Sequence, residues 1–189
     1  MKKIIALLLA VTAVLGLAAC GNGGAQDTTT EPAVVIESAV ELINTVWNAV
    51  PEDNKFFAMG GDMNNITDNA AGVYGLEDQE AITSTLLIPA DQIANVDEAA
   101  SLMHAMLANN FTCGAFHVTG DKAAFVEAMH SAVANNQWIC GMPEKLIIAE
   151  IGEYVLVAFG INDAIAPFET ALTTAYPTAN MKYSEAITG

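Results

Sequence analysis

Arginine is absent from this 189-residue sequence, and lysine is scarce. Lys2 and Lys3 stand at the very start, leaving Lys55, Lys122, Lys145 and Lys182 to face all 22 acidic side chains. Past residue 19 the balance is four lysines against 22 carboxylates, a net charge of −18. A surface of that sign repels nucleic acid and anionic lipid headgroups, so no nucleic-acid partner is expected. Without arginine there is also no planar fork for two-point phosphate recognition. The acid excess reads as a solubility device rather than as a dedicated cation site. Catalytic signatures are missing as well. No nucleophile elbow, phosphate-cradling glycine loop, HExxH pair or Ser/Lys dyad occurs. Paired carboxylates abound in so acidic a chain and discriminate nothing.

The opening residues are informative. Met1-Lys2-Lys3 leads into an almost purely apolar run of 14 residues, Ile4 to Leu17, followed by Ala18-Ala19-Cys20. A charged head, an apolar stretch and small residues at the end describe an export signal. At about 1.5 Å per residue the run is too short to span a hydrocarbon core of about 30 Å. Leu17-Ala18-Ala19-Cys20 resembles the lipobox of bacterial lipoproteins. That resemblance implies cleavage before Cys20, a diacylglycerol on its thiol, and anchorage on the extracytoplasmic side of the cell membrane. Residues 1–19 are then the signal peptide. Residues 20–33, the lipidated cysteine and a Gly/Thr-rich polar stretch, form a flexible tether of about 20 Å average reach. The rest, 34–189, is long enough to bury one core without metal or multiple disulfides.

Within that domain, apolar spacing predicts a helix from Pro32 to Ala49, with Thr30 as N-cap and Ile36, Val40, Ile43, Trp47 and Val50 on one stripe. Residues 52–81 read as loops, with a short helix near Thr67 to Gly72. Thr85 to Ile88 reads as a strand stopped by Pro89. Asp97 reads as the cap of a helix burying Ala99, Leu102, Met103, Met106 and Leu107. A strand over Thr112 to Val118 and a helix from Asp121 to about Asn136 follow. Lys145–Glu150 and Glu153–Phe159 form a hairpin around Ile151-Gly152. A last helix starts at Asn162 or Asp163, admits Pro167 in its first turn, and buries Ile165, Phe168, Leu172 and Tyr176. This order predicts an α+β fold: a small, mostly antiparallel sheet of three or four strands (β-α-β plus hairpin), with helices packed mainly on one face. The segments after Asp97 and Asp121 share Asp-x-Ala-Ala, Met-His, Ala-Asn-Asn and Cys-Gly, a likeness that two Ala-rich amphipathic helices acquire cheaply.

Three groups could carry chemistry. Cys113 opens the predicted strand, and Cys140 lies where a strand of about 23 Å and a returning helix of about 24 Å bring the chain back. Export permits their oxidation, so they are disulfide candidates, with two reduced thiols as the alternative. Trp138-Ile139-Cys140-Gly141-Met142-Pro143 lacks the second cysteine that a thioredoxin-like site uses. His104, His117 and His130 are thirteen residues apart but fall on different elements, which argues against a shared zinc ion. Asp62 to Asn69 offers hard oxygen donors without the glycine and bidentate glutamate of an EF-hand. No cofactor is expected.

Phe111-Thr112-Cys113-Gly114-Ala115-Phe116-His117, Gln137 to Pro143 and Glu153 to Gly160 resemble small lipoproteins of Gram-positive anaerobes. Those carry an uncharacterised domain of the same strand-helix-hairpin-helix plan. The likeness covers most of residues 36–185, implies an envelope lipoprotein and supplies no chemistry. The functional expectation is a non-enzymatic binding or accessory module of the cell envelope, engaging a peptide or another envelope protein. The alternative is a thiol-redox or metal-assisted envelope enzyme using Cys113, Cys140 or the histidines.

Overall fold

A computed structural model describes residues 35–188. The expected signal, the tether, Cys20 and the Thr30 cap lie outside them. The first helix, α1 (Ala39–Ala49), starts later than its apolar stripe suggested, because the Ser38 side chain accepts from the Glu41 N–H and caps it there. Ala39, Leu42, Ile43, Val46 and Trp47 are its buried residues. A 3-10 turn at Glu52–Asn54 leads to three short strands, β1 (Ala58–Gly60), β2 (Thr67–Asp68) and β3 (Gly72–Val73). The short helix expected near 67–72 is therefore replaced by strand pairs.

Two further expectations are overturned. Residues 85–88 are not a strand. They end helix α2 (Gln79–Leu86), which Asp78 caps and which Leu87 terminates at φ 57. The segment after Asp97 is not a helix but strand β4 (Val96–His104). It pairs with β1 and β3 on one side and with β5 (Phe111–Val118) on the other. Helix α3 (Lys122–Ala134) follows, capped by Asp121. Then come the hairpin of β6 (Lys145–Ile151) and β7 (Tyr154–Gly160), helix α4 (Asn162–Ala175), and strand β8 (Asn180–Ala186), for which the sequence carried no apolar signal. Pro167 lies in the second turn of α4 rather than the first.

The α+β class and the antiparallel pairing stand, but the sheet is larger than three or four strands. It has eight, in the order β2-β1-β4-β5-β7-β6-β8, with β3 also on β4. Helices cover both faces rather than mainly one. Ala158, Leu156, Ile147 and Cys113 pack with α1 and α4, while Val155, Val157, Ile148 and Phe116 pack with α2 and α3. Topology explains the division. The β5-α3-β6 and β7-α4-β8 connections each step two strands toward the same edge, but β5 and β7 run antiparallel. Crossovers of one hand that start from opposed strands must place their helices on opposite faces. Central β7 is consequently buried along its whole length, and its sequence is apolar without alternation. Edge strand β8 is mostly exposed and carries Lys182 and Glu185, which discourages further strand pairing.

Candidate functional site

One end of the sheet gathers several of the exposed apolar side chains. There β4 turns into β5 through residues 105–110, α3 leads into β6 through residues 135–144, and β7 hands over to α4. The Asn109 amide joins the first two connections, donating to the Ile139 carbonyl at 2.8 Å and to the Gly141 carbonyl at 2.7 Å. Cys140 sits between those carbonyls at φ 65 and Gly141 at φ 117, both in left-handed backbone. The paired loops carry exposed apolar side chains: Met106 at 83%, Leu107 at 49%, Ile139 at 79% and Met142 at 41%. Such side chains brought together on a surface mark interaction sites more often than scattered ones do.

On the α2/α3 side of these loops lies an open cleft of about 530 Å³. Leu87, Trp138 and Phe159 supply apolar lining, and the Trp138 and Phe159 rings meet at 5.2 Å between centroids, inclined by 53°. Thr83, Thr85, Asn109, Thr112 and Gln137 supply uncharged polar lining, and no acidic or basic side chain takes part. Two of its lining residues, Trp138 and Thr83, each hold a covered polar atom, Nε1 and Oγ1, that has no hydrogen-bond partner. A buried donor or acceptor left unpaired costs about 1–3 kcal/mol, so native folds keep few of them.

A second cavity, of about 570 Å³, lies at the same end on the α1/α4 face. It is lined by Lys55, Phe56, His104, Asn110, Asn162 and Asp163 among others. Two of its polar groups, Lys55 and His104, are already engaged. Lys55 pairs with Glu52, and its Nζ lies 5.8 Å from the centre of a Trp47 ring. His104 Nδ1 accepts from the N–H groups of Met106 and Leu107 at 3.2 and 3.3 Å, which places the proton of the neutral ring on Nε2. The ring also stacks on Phe56, with centroids 4.9 Å apart.

The structure keeps the candidate chemical residues apart. Cys113 and Cys140 are both free thiols. Strand β5, helix α3 and the returning connection bring Cys140 to the end of the sheet where β5 begins, but Cys113 faces the α1/α4 core, whereas Trp138 beside Cys140 packs on the α2/α3 core. Burial pushes the Cys113 thiol far above its ordinary pKa, which suppresses the nucleophilic thiolate. His104 ends a strand rather than flanking a helical stripe. His117 bonds Asp97 near the opposite end of the sheet, and His130 on α3 bonds Glu185 at 2.7 Å while stacking on Tyr183. Among the described residues, no three His, Cys, Asp or Glu side chains converge on a possible metal position.

Asp62, in the Asn/Asp-rich loop, spends its carboxylate on local bonds. It accepts from the Gly75 N–H at 2.7 Å, from the Asn64 N–H at 2.8 Å and from the Asn65 amide. Burial raises its pKa, but these donors outweigh that effect and hold it below the ordinary carboxylate range. The loop-end cleft was only partly legible in sequence. Trp138 stood out, yet Thr83 and Leu87 join it through a helix where we expected a strand.

No helix among the described residues is long and apolar enough to cross a membrane. Comparison with known protein families, with curated proteins and with solved structures finds no match to this chain.

Proposed function

We propose that this chain is a membrane-anchored extracytoplasmic lipoprotein, held by lipid on Cys20, whose folded domain is a non-enzymatic binding or accessory module of the cell envelope. The observation that carries the binding role is the concentration of exposed apolar side chains, beside the uncharged cleft, at one end of the sheet. The described chain enters the fold at the other end, where the Ala39 N–H donates to Glu98 at 2.9 Å. The charge of the chain supports the same reading, since its acid excess disfavours nucleic acid and direct contact with anionic headgroups.

Two variants test the two halves separately. Cys20→Ser removes the one lipid attachment point, and the protein should leave the membrane fraction. Retention of the variant in membranes refutes the anchor. Ile139→Asp places a charge on an exposed residue at the cleft mouth, and it should abolish capture of whatever envelope partner the parent protein retains from detergent-solubilised membranes. Unchanged capture refutes the loop-end site.

A further inference from the structure

The cleft between α2 and residues 135–144 is specific enough in its chemistry to indicate a ligand class. We propose that it binds an uncharged, apolar peptide segment in extended form, with the Trp138 indole N–H donating to one of its backbone carbonyls. The proposal rests on the binding-module reading above and narrows it.

Charge is the first argument. All 22 acidic residues fall in the exported part of the expected chain, yet none lines this cleft, nor does a lysine. A charged ligand group would leave water there without an ionic partner, which is strongly unfavourable. The second argument is the unused hydrogen bonding. Trp138 Nε1 offers a donor and Thr83 Oγ1 a hydroxyl, and neither has a protein partner. Peptide groups present an acceptor and a donor at every residue, so an extended segment can satisfy both, as strand-like ligands do elsewhere.

The surroundings of the cleft favour a peptide over a neutral saccharide, which could use the same polar groups. Ile139 lines the cleft, and Met106, Leu107 and Met142 stand on the two connections that border it, all four substantially exposed. Those side chains match aliphatic or aromatic side chains and have nothing to offer a hydroxyl-rich ring. The two methionines are flexible and suit a surface that must adapt to varied apolar partners. At about 530 Å³ the space lies within the ordinary range for ligand pockets of about 300–1,000 Å³. Because the indole N–H and the Thr83 hydroxyl are both covered, engagement requires the 135–144 connection to shift away from α2. That connection has no regular secondary structure and bends through left-handed backbone at Cys140 and Gly141.

The test uses the full chain in detergent, titrated calorimetrically with end-blocked hexapeptides. One pool contains only neutral apolar residues, two others replace alternate residues by Asp or Lys, and a fourth set consists of neutral oligosaccharides. The expected result is binding of the neutral pool, with the charged pools at least about tenfold weaker and the saccharides not competing. Trp138→Phe keeps an aromatic ring but removes the N–H, and it should weaken the neutral peptides about tenfold, the effect of one hydrogen bond. Ile139→Ser alters a side chain that is 79% exposed, so it should weaken binding with the fold intact even if the Trp138 variant folds poorly. Equal affinity for charged pools, displacement by saccharide, absence of peptide binding, or unchanged affinity in the Ile139 variant each overturns the proposal. If no pool binds while Ile139→Asp still abolishes partner capture, the peptide class falls and the binding-module reading stands.

Discussion

The Tyr154 hydroxyl donates to Glu98 Oε2 at 2.9 Å, while the other oxygen of the same carboxylate accepts from the Ala39 N–H at 2.9 Å. One side chain on β4 thus joins central strand β7 to the first turn of α1. It satisfies one of the N–H groups that a helix start leaves open and places negative charge at the positive end of the helix dipole. Glu98→Ala should cost about 2 kcal/mol, because the Tyr154 hydroxyl and the Ala39 N–H both lose their partner. For a domain of this size that corresponds to a fall of roughly 4–8 °C in Tm, read by thermal unfolding.

The same bond predicts an alkaline transition. Burial first, and then hydrogen bonding to Glu98, raise the Tyr154 phenol from its ordinary 10.0 to about 12. A group whose pKa is raised in the folded state binds its proton more tightly there. Its contribution to stability is complete below pH 10.0 and is lost as pH rises through about 12. Denaturation midpoints measured across that window should fall for the parent protein and flatten for Tyr154→Phe.

Thiol accessibility distinguishes the two cysteines of the domain. Cys113 is 0% exposed in the α1/α4 core, while Cys140 is exposed on the loop after α3. Alkylation of the folded protein should therefore modify Cys140 and spare Cys113, with or without reductant. Denaturant should release the second thiol. Mass spectrometry reads both steps, and protection of both thiols that reductant lifts would establish the bridge that the spacing suggested.

Gly160 is required by a close backbone approach. A Cβ at this position would lie 2.2 Å from the Asn110 carbonyl oxygen, which also accepts from the Ile161 N–H at 3.0 Å. Neither backbone can yield without disturbing the turn from β7 into α4. Gly160→Ala should destabilise the domain by about 1–3 kcal/mol, measured as a lower denaturant midpoint with unchanged slope.

What could be read in advance follows from how locally each signal is encoded. Helix α3, the β6–β7 hairpin and the buried stripe of α4 were legible because cap, turn and apolar period all lie within a few residues of one another. Strand β8 was not, because it is an edge strand whose residues alternate between partial burial and exposure and show little apolar pattern. Its place beside β6 exists only once α4 has carried the chain back across the sheet. The cleft was hidden for a similar reason. Thr83 and Trp138 are far apart in sequence and meet only because α2 and the connection after α3 pack on the same face.

The segments that begin at Asp97 and Asp121 mark the boundary between local and tertiary control. Both start Asp-x-Ala-Ala and end Ala-Asn-Asn, and both carry apolar residues at helical spacing. The second becomes α3, capped by Asp121 and set against one face of the sheet. The first becomes β4, although its composition favours a helix just as strongly. Its small residues Ala99, Ala100 and Ser101 are buried, and strands hydrogen-bond to β4 from both sides. The sequence by itself determined where polarity, caps and turns divide the chain. Only the tertiary structure decided that this segment would be a strand, because ladder hydrogen bonds and burial on two faces outweigh helix propensities worth a fraction of a kcal/mol per residue, about 0–0.7 for ordinary side chains.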